Sequence, residues 1–161
     1  MKNAKIIIRK ARPDEYLAVF DCITNLKDAV GRLFPAIDRE LAMAHVRDTL
    51  DDANKVVLVA EQQGKIIGSI SLFLKNPWWS QEVLLNSDWF IVNKDYRRSH
   101  AASMLLKVSK DIAKRLNLRF QFNMFNGFDI PRKIAFMDRK GFEIMGGSFM
   151  EKENAKSIGR R

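Results

Sequence analysis

A short basic segment holds the residue types best suited to chemistry in this sequence. It runs from Val92 to Ser103 and reads Val-Asn-Lys-Asp-Tyr-Arg-Arg-Ser-His-Ala-Ala-Ser, with a helical pattern after it. The first turn of a helix presents backbone N–H groups without partners and the positive end of the helix dipole, which attract anions. Small side chains let a phosphate approach that backbone, and arginines add charge-assisted hydrogen bonds. The segment therefore predicts a phosphate site.

The same residues have a plainer interpretation, which is an amphipathic helix with a basic first turn. Basic residues before a helix start oppose the helix dipole unless an anion lies there. The charges of Arg97 and Arg98 therefore favour the anion site over the plain helix.

Strand and helix patterns alternate around this segment. Leu84–Val92 is apolar and strand-like, an apolar stripe at helical spacing runs from Leu105 to Leu116, and Arg119–Phe125 alternates like a second strand. A strand–helix–strand unit of this kind predicts two parallel strands joined by a right-handed crossover. Ligands in such sheets bind where strands end and helices begin.

The rest of the chain predicts further strands and helices, with a hairpin turn at Gln63-Gly64. The predicted strands are Lys5–Lys10, Lys55–Gln62, Lys65–Lys75 and Phe142–Met150, and the predicted helices begin at Pro13, at about Ala36 and at Pro131, with a loop at Asn126-Gly127. The fold class is therefore α/β, with a mixed, mostly antiparallel sheet flanked by helices. Residues 1–150 are expected to form one domain, followed by a polar basic tail over 151–161.

Composition excludes several other classes of protein. The chain has 161 residues, 47% of them hydrophobic and 29% charged, which is typical of a globular domain. Its apolar runs are too short to cross a membrane, and no secretory leader is recognisable at the start. With Cys22 the single cysteine, no intrachain disulfide can form, and a cytoplasmic location is expected. Cys22, His45 and His100 are too few for a soft-metal site, so no metal is predicted.

The positive charge is concentrated near the basic segment. The formal net charge is +9, and seven basic but only two acidic residues lie between Lys94 and Arg115. Such a field favours an anionic partner, which could be a phosphorylated cofactor, a nucleic acid or an acidic protein surface. The alternative is that the charge serves solubility alone.

The basic segment resembles the acetyl-CoA-binding motif of the GNAT superfamily of N-acetyltransferases. In that motif a strand-end valine precedes a Tyr-Arg pair and an Arg/Gln-x-x-Gly-x-Gly/Ala helix start, and Val92 and Tyr96-Arg97 match these positions. His100 stands where the motif has its first glycine. Because histidine does not adopt a positive φ cheaply, the loop needs ordinary helical angles there or an altered phosphate contact.

Two other segments support the resemblance, which spans about residues 5 to 150. Ala60-Glu61 followed by Gly64-Lys65-Ile66-Ile67-Gly68 is similar to the family's hairpin, and Phe136-Met137-Asp138-Arg139-Lys140-Gly141-Phe142 is similar to its closing motif. The family usually has a tyrosine as general acid at the position of Met137, which cannot donate a proton.

The resemblance implies a splayed parallel strand pair that holds the pantetheine arm of acetyl-CoA, with the pyrophosphate at the following turn. The implied coenzyme-binding residues are Phe90, Ile91, Val92, Arg97, Arg98, Ser99, His100, Ala101, Ala102 and Ser103. An amine would attack the thioester directly, after a carboxylate acting through water has removed its proton.

Asp88 is the candidate carboxylate for this proton transfer. The two-residue period of a strand places it on one face with Asn86, Phe90 and Val92. The alternative is that Asp88 pairs with a basic residue or lies at a solvated strand edge. Glu82, in the preceding loop, is a poorer candidate.

The sequence thus predicts an N-acetyltransferase that uses acetyl-CoA. The acceptor amine could belong to a small molecule, a protein or an aminoacyl-tRNA, and a homodimer is compatible with the pattern. Two other classes stay open. Met137 and His100 favour an inactive GNAT-like module that binds coenzyme A, and the net charge favours a nucleic-acid-associated protein, although no nucleic-acid motif is recognisable.

Overall fold

The computed structural model describes residues 5–24, 37–123 and 129–147, and within these ranges one mixed sheet carries helices on both faces. Its strands, in spatial and chain order, are β1 (Ile6–Lys10), β2 (Lys55–Gln62), β3 (Lys65–Lys75), β4 (Leu84–Val92) and β5 (Arg119–Gln121). Neighbours are antiparallel from β1 to β4, and β4 and β5 are parallel. The predicted mixed, mostly antiparallel sheet is therefore confirmed.

Four helices accompany these strands in the described ranges. They are α1 (Tyr16–Thr24), α2 (Arg39–Asp51), α3 (Ala101–Arg115) and α4 (Ile130–Arg139). Local signals explain their ends: Pro13 opens a short 3-10 turn before α1, and the Asp38 side chain caps α2 by accepting from the Leu41 amide at 3.0 Å.

The sheet separates two apolar clusters. Val19 and Phe20 of α1 and Val46 of α2 pack with Val57 and Trp89 on one face. On the other face, helix α3 packs against a second cluster, whose members include Leu58, Ile67, Ile70, Leu85 and Leu105. The helix pair α1–α2 and helix α3 therefore lie on opposite faces of the sheet.

The parallel strands β4 and β5 are in register with each other only at their beginnings. Leu84, Leu85 and Asn86 of β4 lie opposite Arg119, Phe120 and Gln121 of β5, and the register ends there. Beyond Asn86 the two strands separate, so the predicted splay of a parallel pair is confirmed. Strand β5 is shorter than the predicted Arg119–Phe125.

Two predictions about the ends of elements were wrong. Residues 142–147 are not in a strand. The ring of Phe142 packs against that of Phe120, with ring centroids 5.5 Å apart, and the residues from 143 to 147 are exposed. Leu116 is 52% exposed, since α3 stops at Arg115 and Asn117 takes a left-handed φ of 53°. The predicted loop at Asn126-Gly127, the residues from 148 to Met150 and the tail over 151–161 lie outside the described residues.

Candidate functional site

The first turn of α3 leaves two backbone amides open. The Ala101 amide donates to Ser99 Oγ at 3.2 Å, and the first helical bond joins the Met104 amide to the His100 carbonyl at 2.9 Å. No described residue accepts from the amides of Ala102 and Ser103. These two N–H groups lie at the positive end of a fifteen-residue helix, at the turn where the sequence predicts an anion site, and are called the cradle below.

His100 fits this turn without glycine-like angles. It is the N-cap residue of α3, with φ −81° and ψ 2°, and its side chain makes no capping bond. The negative φ means that this turn needs no glycine-like angle at His100, although its ψ lies outside the helical range. Ala101 beneath the turn is buried, while Ala102 and Ser103 are half-buried, so small side chains border the open amides.

Basic side chains from two elements converge near the cradle. Arg97 and Arg98 are exposed in the turn before α3. Lys133 of α4 is half-buried, and its pKa is lowered by this burial and by the nearby charge of Arg97, against the opposing effect of Asp129. Sequence reasoning counted Lys133 only as part of the net charge, since nothing in the local pattern brings α4 beside this turn.

The backbone of β4 beyond Asn86 has an open side. The Asn93 amide donates to the Ile67 carbonyl at 2.9 Å, which makes these two residues a hydrogen-bonded antiparallel pair. Such pairs alternate along a ladder, so the backbone of Ile91 is bonded to β3. The N–H and C=O groups of Phe90 and Val92 therefore face away from β3, into the space between the separated parts of β4 and β5, which is called the gap below. Of the three predicted strand residues, Ile91 therefore has its backbone groups in the β3 ladder rather than in the gap.

Side chains hold the two sides of the gap together after the backbone pairing ends. Asn123 donates to Ser87 twice, from its amide to Oγ and from Nδ2 to the carbonyl oxygen, each at 2.9 Å. The rings of Phe90 and Phe122 meet edge-to-face with centroids 5.1 Å apart. The separation of β4 and β5 is therefore a packed feature of the fold.

A β-bulge in β4 changes which face its side chains occupy. Ile70 lies opposite Phe90 but Leu72 lies opposite Ser87, so Asp88 and Trp89 together face one residue of β3. Trp89 packs in the cluster under α1 and α2, whereas Phe90 packs in the cluster under α3. The prediction that Asp88 shares a face with Phe90 and Val92 was wrong, because the bulge shifts the two-residue period.

Asp88 is paired with a histidine from α2. His45 Nε2 lies 2.6 Å from Asp88 Oδ2, and the side chains are 53% and 41% exposed. The indole of Trp89 meets the imidazole edge-on, with ring centroids 6.0 Å apart. Asp88 therefore pairs with a basic residue, which was one of the alternatives open from the sequence. The sequence offers no signal for this contact, because 43 positions separate the two residues.

Other candidates for acid–base chemistry lie elsewhere. Glu82 is before β4, at the end paired with β5, where its carboxylate is 3.5 Å from Arg119. Met137 of α4 is half-buried and has no proton to donate. Tyr96 packs against the cluster under α3, with Lys65 Nζ 5.7 Å from its ring centre. In the described part of the chain, no three His, Cys, Asp or Glu side chains gather as a metal site.

A separate hollow of about 700 Å³ lies at the C-terminal end of α3. Lys114, Asn117, Arg119 and Phe120 are among its lining residues. It is thus at the opposite end of the helix from the cradle.

As for membrane insertion, none of the helices in the described ranges is both long and apolar enough to traverse a bilayer.

Comparisons with known proteins agree with this arrangement. The family model described as "Acetyltransferase (GNAT) domain" matches residues 53–144, which include the β2–β3 hairpin, the gap, the cradle and α4. No curated protein sequence is significantly similar to the chain.

Solved structures share the fold at low sequence identity. One is "a possible acetyltransferase" from Clostridium difficile 630, with 21% identity, a TM-score of 0.70, and 92% of this chain and 97% of that chain covered. Another is ribosomal-protein-alanine N-acetyltransferase from Brucella melitensis biovar Abortus 2308, at 15% identity and TM-score 0.68, covering 93% and 100%. A third is AAC(6')-Iy in complex with a CoA-linked bisubstrate analogue, at 12% identity and TM-score 0.71, covering 94% and 100%.

Proposed function

The chain belongs to the GNAT acetyltransferase family, and from this premise we propose that it is an N-acetyltransferase that moves an acetyl group from acetyl-CoA to an amine. The observation that carries the proposal is the open first turn of α3 beside the splayed end of β4. One polar strand edge and one anion cradle, placed in sequence along the chain, fit a ligand with an amide-containing arm and a diphosphate.

The cradle fits the diphosphate part of such a ligand. The open amides of Ala102 and Ser103 would donate to phosphate oxygens, while Arg97 and Arg98 add charge-assisted hydrogen bonds. Ser99, His100 and Ala101 would shape the turn around the phosphates. Lys133 is close enough to Arg97 to add a further positive charge from α4.

The gap fits the amide-containing arm. Backbone N–H and C=O groups of Phe90 and Val92 are available there for strand-like hydrogen bonds. A backbone donor of β4 near the bulge would stabilise negative charge that develops on the thioester oxygen. Ile91 would support the site from the β3 side, through its ladder bonds and its buried side chain.

The reaction would be a direct attack of the amine on the thioester carbon, in a cytoplasmic setting. Asp88 is proposed as the carboxylate that supports removal of the acceptor's proton through an intermediary group. Since Met137 cannot protonate the leaving sulfur, that proton would come from the attacking nitrogen or from water. Met137 also favours the second candidate function, a coenzyme-A-binding module without acetyl transfer.

Calorimetry with acetyl-CoA and with CoA tests the binding part of the proposal. Ser103→Glu places a carboxylate in the first turn of α3, where it suits the helix dipole but repels a diphosphate. At about 5 Å and an effective dielectric constant of about 20 the repulsion is roughly 3 kcal/mol, so affinity should fall at least about tenfold. Ser103→Gln, equal in size and neutral, is the matched control and should bind much more tightly than Ser103→Glu.

Acetyl transfer is then measured with a polyamine, an aminoglycoside, a peptide with a free N-terminus and an aminoacyl-tRNA. Release of CoA thiol with one of these acceptors supports the transferase. Tight coenzyme binding without transfer to any of them supports the binding module instead. Equal affinity of the two Ser103 variants for the coenzyme would mean that the coenzyme does not bind at the first turn of α3.

A further inference from the structure

The His45–Asp88 pair lies where an amine would need a proton acceptor. Asp88 is in the β4 bulge, next to Ser87, whose bonds to Asn123 are the last polar contacts across the gap among the residues that the structure describes. Phe90, whose backbone groups face the gap, is two residues further along, roughly 7 Å for a strand. The imidazole of His45 therefore lies beside the beginning of the gap, on the face that carries α2.

The pair is held in place from two directions. The bond between His45 Nε2 and Asp88 Oδ2 is 2.6 Å long, and the edge contact with Trp89 fixes the plane of the imidazole. Trp89 is anchored in turn, since its Nε1 donates to Ser69 Oγ at 3.1 Å in the core. A carboxylate at Nε2 keeps the ring proton on that nitrogen, which leaves Nδ1 as the basic one. No described residue bonds to Nδ1.

An imidazole suits this proton transfer better than a carboxylate. Alkylamine acceptors are ammonium ions at neutral pH, and a base is most effective when it titrates near the working pH. Free imidazole titrates close to neutrality, whereas a free carboxylate titrates far below it. A carboxylate beside the imidazole also stabilises the imidazolium that forms.

We infer that His45 is the catalytic residue that accepts the proton of the acceptor ammonium at Nδ1, and that Asp88 is a positioning residue acting through it. The inference rests on the proposed acetyltransferase function. The family resemblance implies a water molecule between the carboxylate and the amine. In this proposal the imidazole of His45 takes the place of that water.

Two protons leave the ammonium nitrogen during the transfer. The ammonium nitrogen gives one proton to Nδ1, and its freed electron pair forms the bond to the acetyl carbon. The carbon–sulfur bond breaks with its electron pair on sulfur, and a second proton from the nitrogen completes the CoA thiol. Nδ1 then releases its proton to water, which returns His45 to the neutral form.

Two aspartates are the charged groups that a side-chain hydrogen bond or helical spacing places beside the imidazole in the described part of the chain. Asp88 on β4 is bonded to it, and Asp48 lies three residues along α2. The arginines of α2 are turned toward α1, with Arg39 over the Phe20 ring and Arg47 over the Tyr16 ring. A pH dependence of turnover that changes when His45 is replaced therefore reports on the pair itself.

The test compares two nucleophiles in wild type, His45→Gln and Asp88→Asn. One is spermidine, whose amines are ammonium ions at neutral pH, and the other is hydroxylamine, which is already neutral and needs no base. In His45→Gln, kcat with spermidine should fall about a hundredfold at neutral pH and recover in part at high pH. Hydroxylamine turnover and the calorimetric Kd for acetyl-CoA should change less than about threefold. Asp88→Asn should follow the same pattern.

The two proposals fail in different ways. Where another amine of the acceptor panel is acetylated faster than spermidine, that amine takes its place in the comparison. Wild-type protein that cleaves acetyl-CoA with no panel acceptor and not with hydroxylamine would overturn the transferase, and the role of His45 with it. Active wild type whose His45→Gln variant keeps its spermidine turnover and pH profile would overturn the role of His45 alone. Equal losses with both nucleophiles would do the same, because they would mean that the substitution damages the site as a whole.

Discussion

Lys133 carries its charge in an unusually unfavourable place for a lysine. Burial and the neighbouring charge of Arg97 both lower its pKa, and Asp129 only partly compensates. A diphosphate bound at the first turn of α3, as proposed, would add negative charge near this lysine. Anion binding would then favour the charged form of Lys133.

Replacing Lys133 with alanine should weaken coenzyme binding. Loss of a charge-assisted contact costs about 1.5 to 3 kcal/mol, so the Kd for CoA should rise by roughly tenfold or more in calorimetry. Arg132→Ala is the matched control, since Arg132 is adjacent and its side chain is 81% exposed. Equal effects of the two substitutions would mean that α4 contributes only diffuse charge.

Cys22 should be inert in the native protein. Burial raises the pKa of its thiol to about 11, and its Sγ lies 3.5 Å from the Ile66 carbonyl oxygen. Since the thiolate is the reactive form, lowering pH below this value suppresses reactivity, and at pH 8 only roughly one thiol in a thousand is ionised. Iodoacetamide should therefore label the folded protein at least about a hundredfold more slowly than the urea-unfolded chain. Fast labelling under native conditions would show that α1 opens from the sheet.

At the scale of elements, one ion network joins β1 to the start of α1 and to β2. Arg9 bonds both carboxylate oxygens of Glu15, at 2.8 and 2.7 Å, and reaches Glu61 at 2.7 Å. Glu15 also accepts from the Arg12 amide at 2.8 Å, which ties the 3-10 turn before α1 to the same group. The entry of the chain into its first helix is thus fixed by one carboxylate.

Glu15→Gln should make the stability of the protein less dependent on pH. Chiefly because of its bonds to Arg9, the pKa of Glu15 is lowered from 4.5 to about 2. Its stabilisation is therefore complete above the unfolded-state value and is lost as pH falls through 4.5 toward 2. Urea unfolding should show the variant about 1 to 2 kcal/mol less stable at neutral pH, with the difference shrinking across that window. Asp14→Asn, on an exposed carboxylate, should cost less than about 0.5 kcal/mol.

The order of the strands and helices was predictable from sequence because each element has a clear local pattern. Strands β2, β3 and β4 have the predicted bounds, and the hairpin turn lies at Gln63 and Gly64 as predicted, with a positive φ at both residues. The position of the turn before α3 was predictable for the same reason, since a strand end, a basic turn and a helix start are adjacent in the chain.

The contact between His45 and Asp88 was only half predictable. Asp88 was recognisable as a carboxylate on a buried strand, but its orientation depends on the bulge, which breaks the period of two and is set by pairing with β3. His45 comes from a helix on one face of the sheet, and no local pattern relates it to β4. Lys133 was missed for a similar reason. Contacts between distant segments follow from packing rather than from spacing.

On the scale of the whole molecule, a net charge of +9 would attract an anionic coenzyme from any direction, whereas the proposed cradle would hold it at one place. The two effects differ in range, since charges further apart than about 8 Å are screened at physiological ionic strength. A comparison of variants with the same net charge but different positions separates them.

The double variant Arg97→Gln/Arg98→Gln should weaken CoA binding at least about tenfold, because it removes charges next to the open amides of α3. Lys107→Gln/Lys114→Gln removes the same total charge from exposed positions further along α3 and should change the Kd less than about twofold. Calorimetry at low and at physiological salt measures both. Equal weakening in the two variants, disappearing together as salt is added, would mean that the overall field rather than the cradle captures the ligand. Steep salt-dependent binding of RNA that is lost equally in both would favour the nucleic-acid interpretation of the charge.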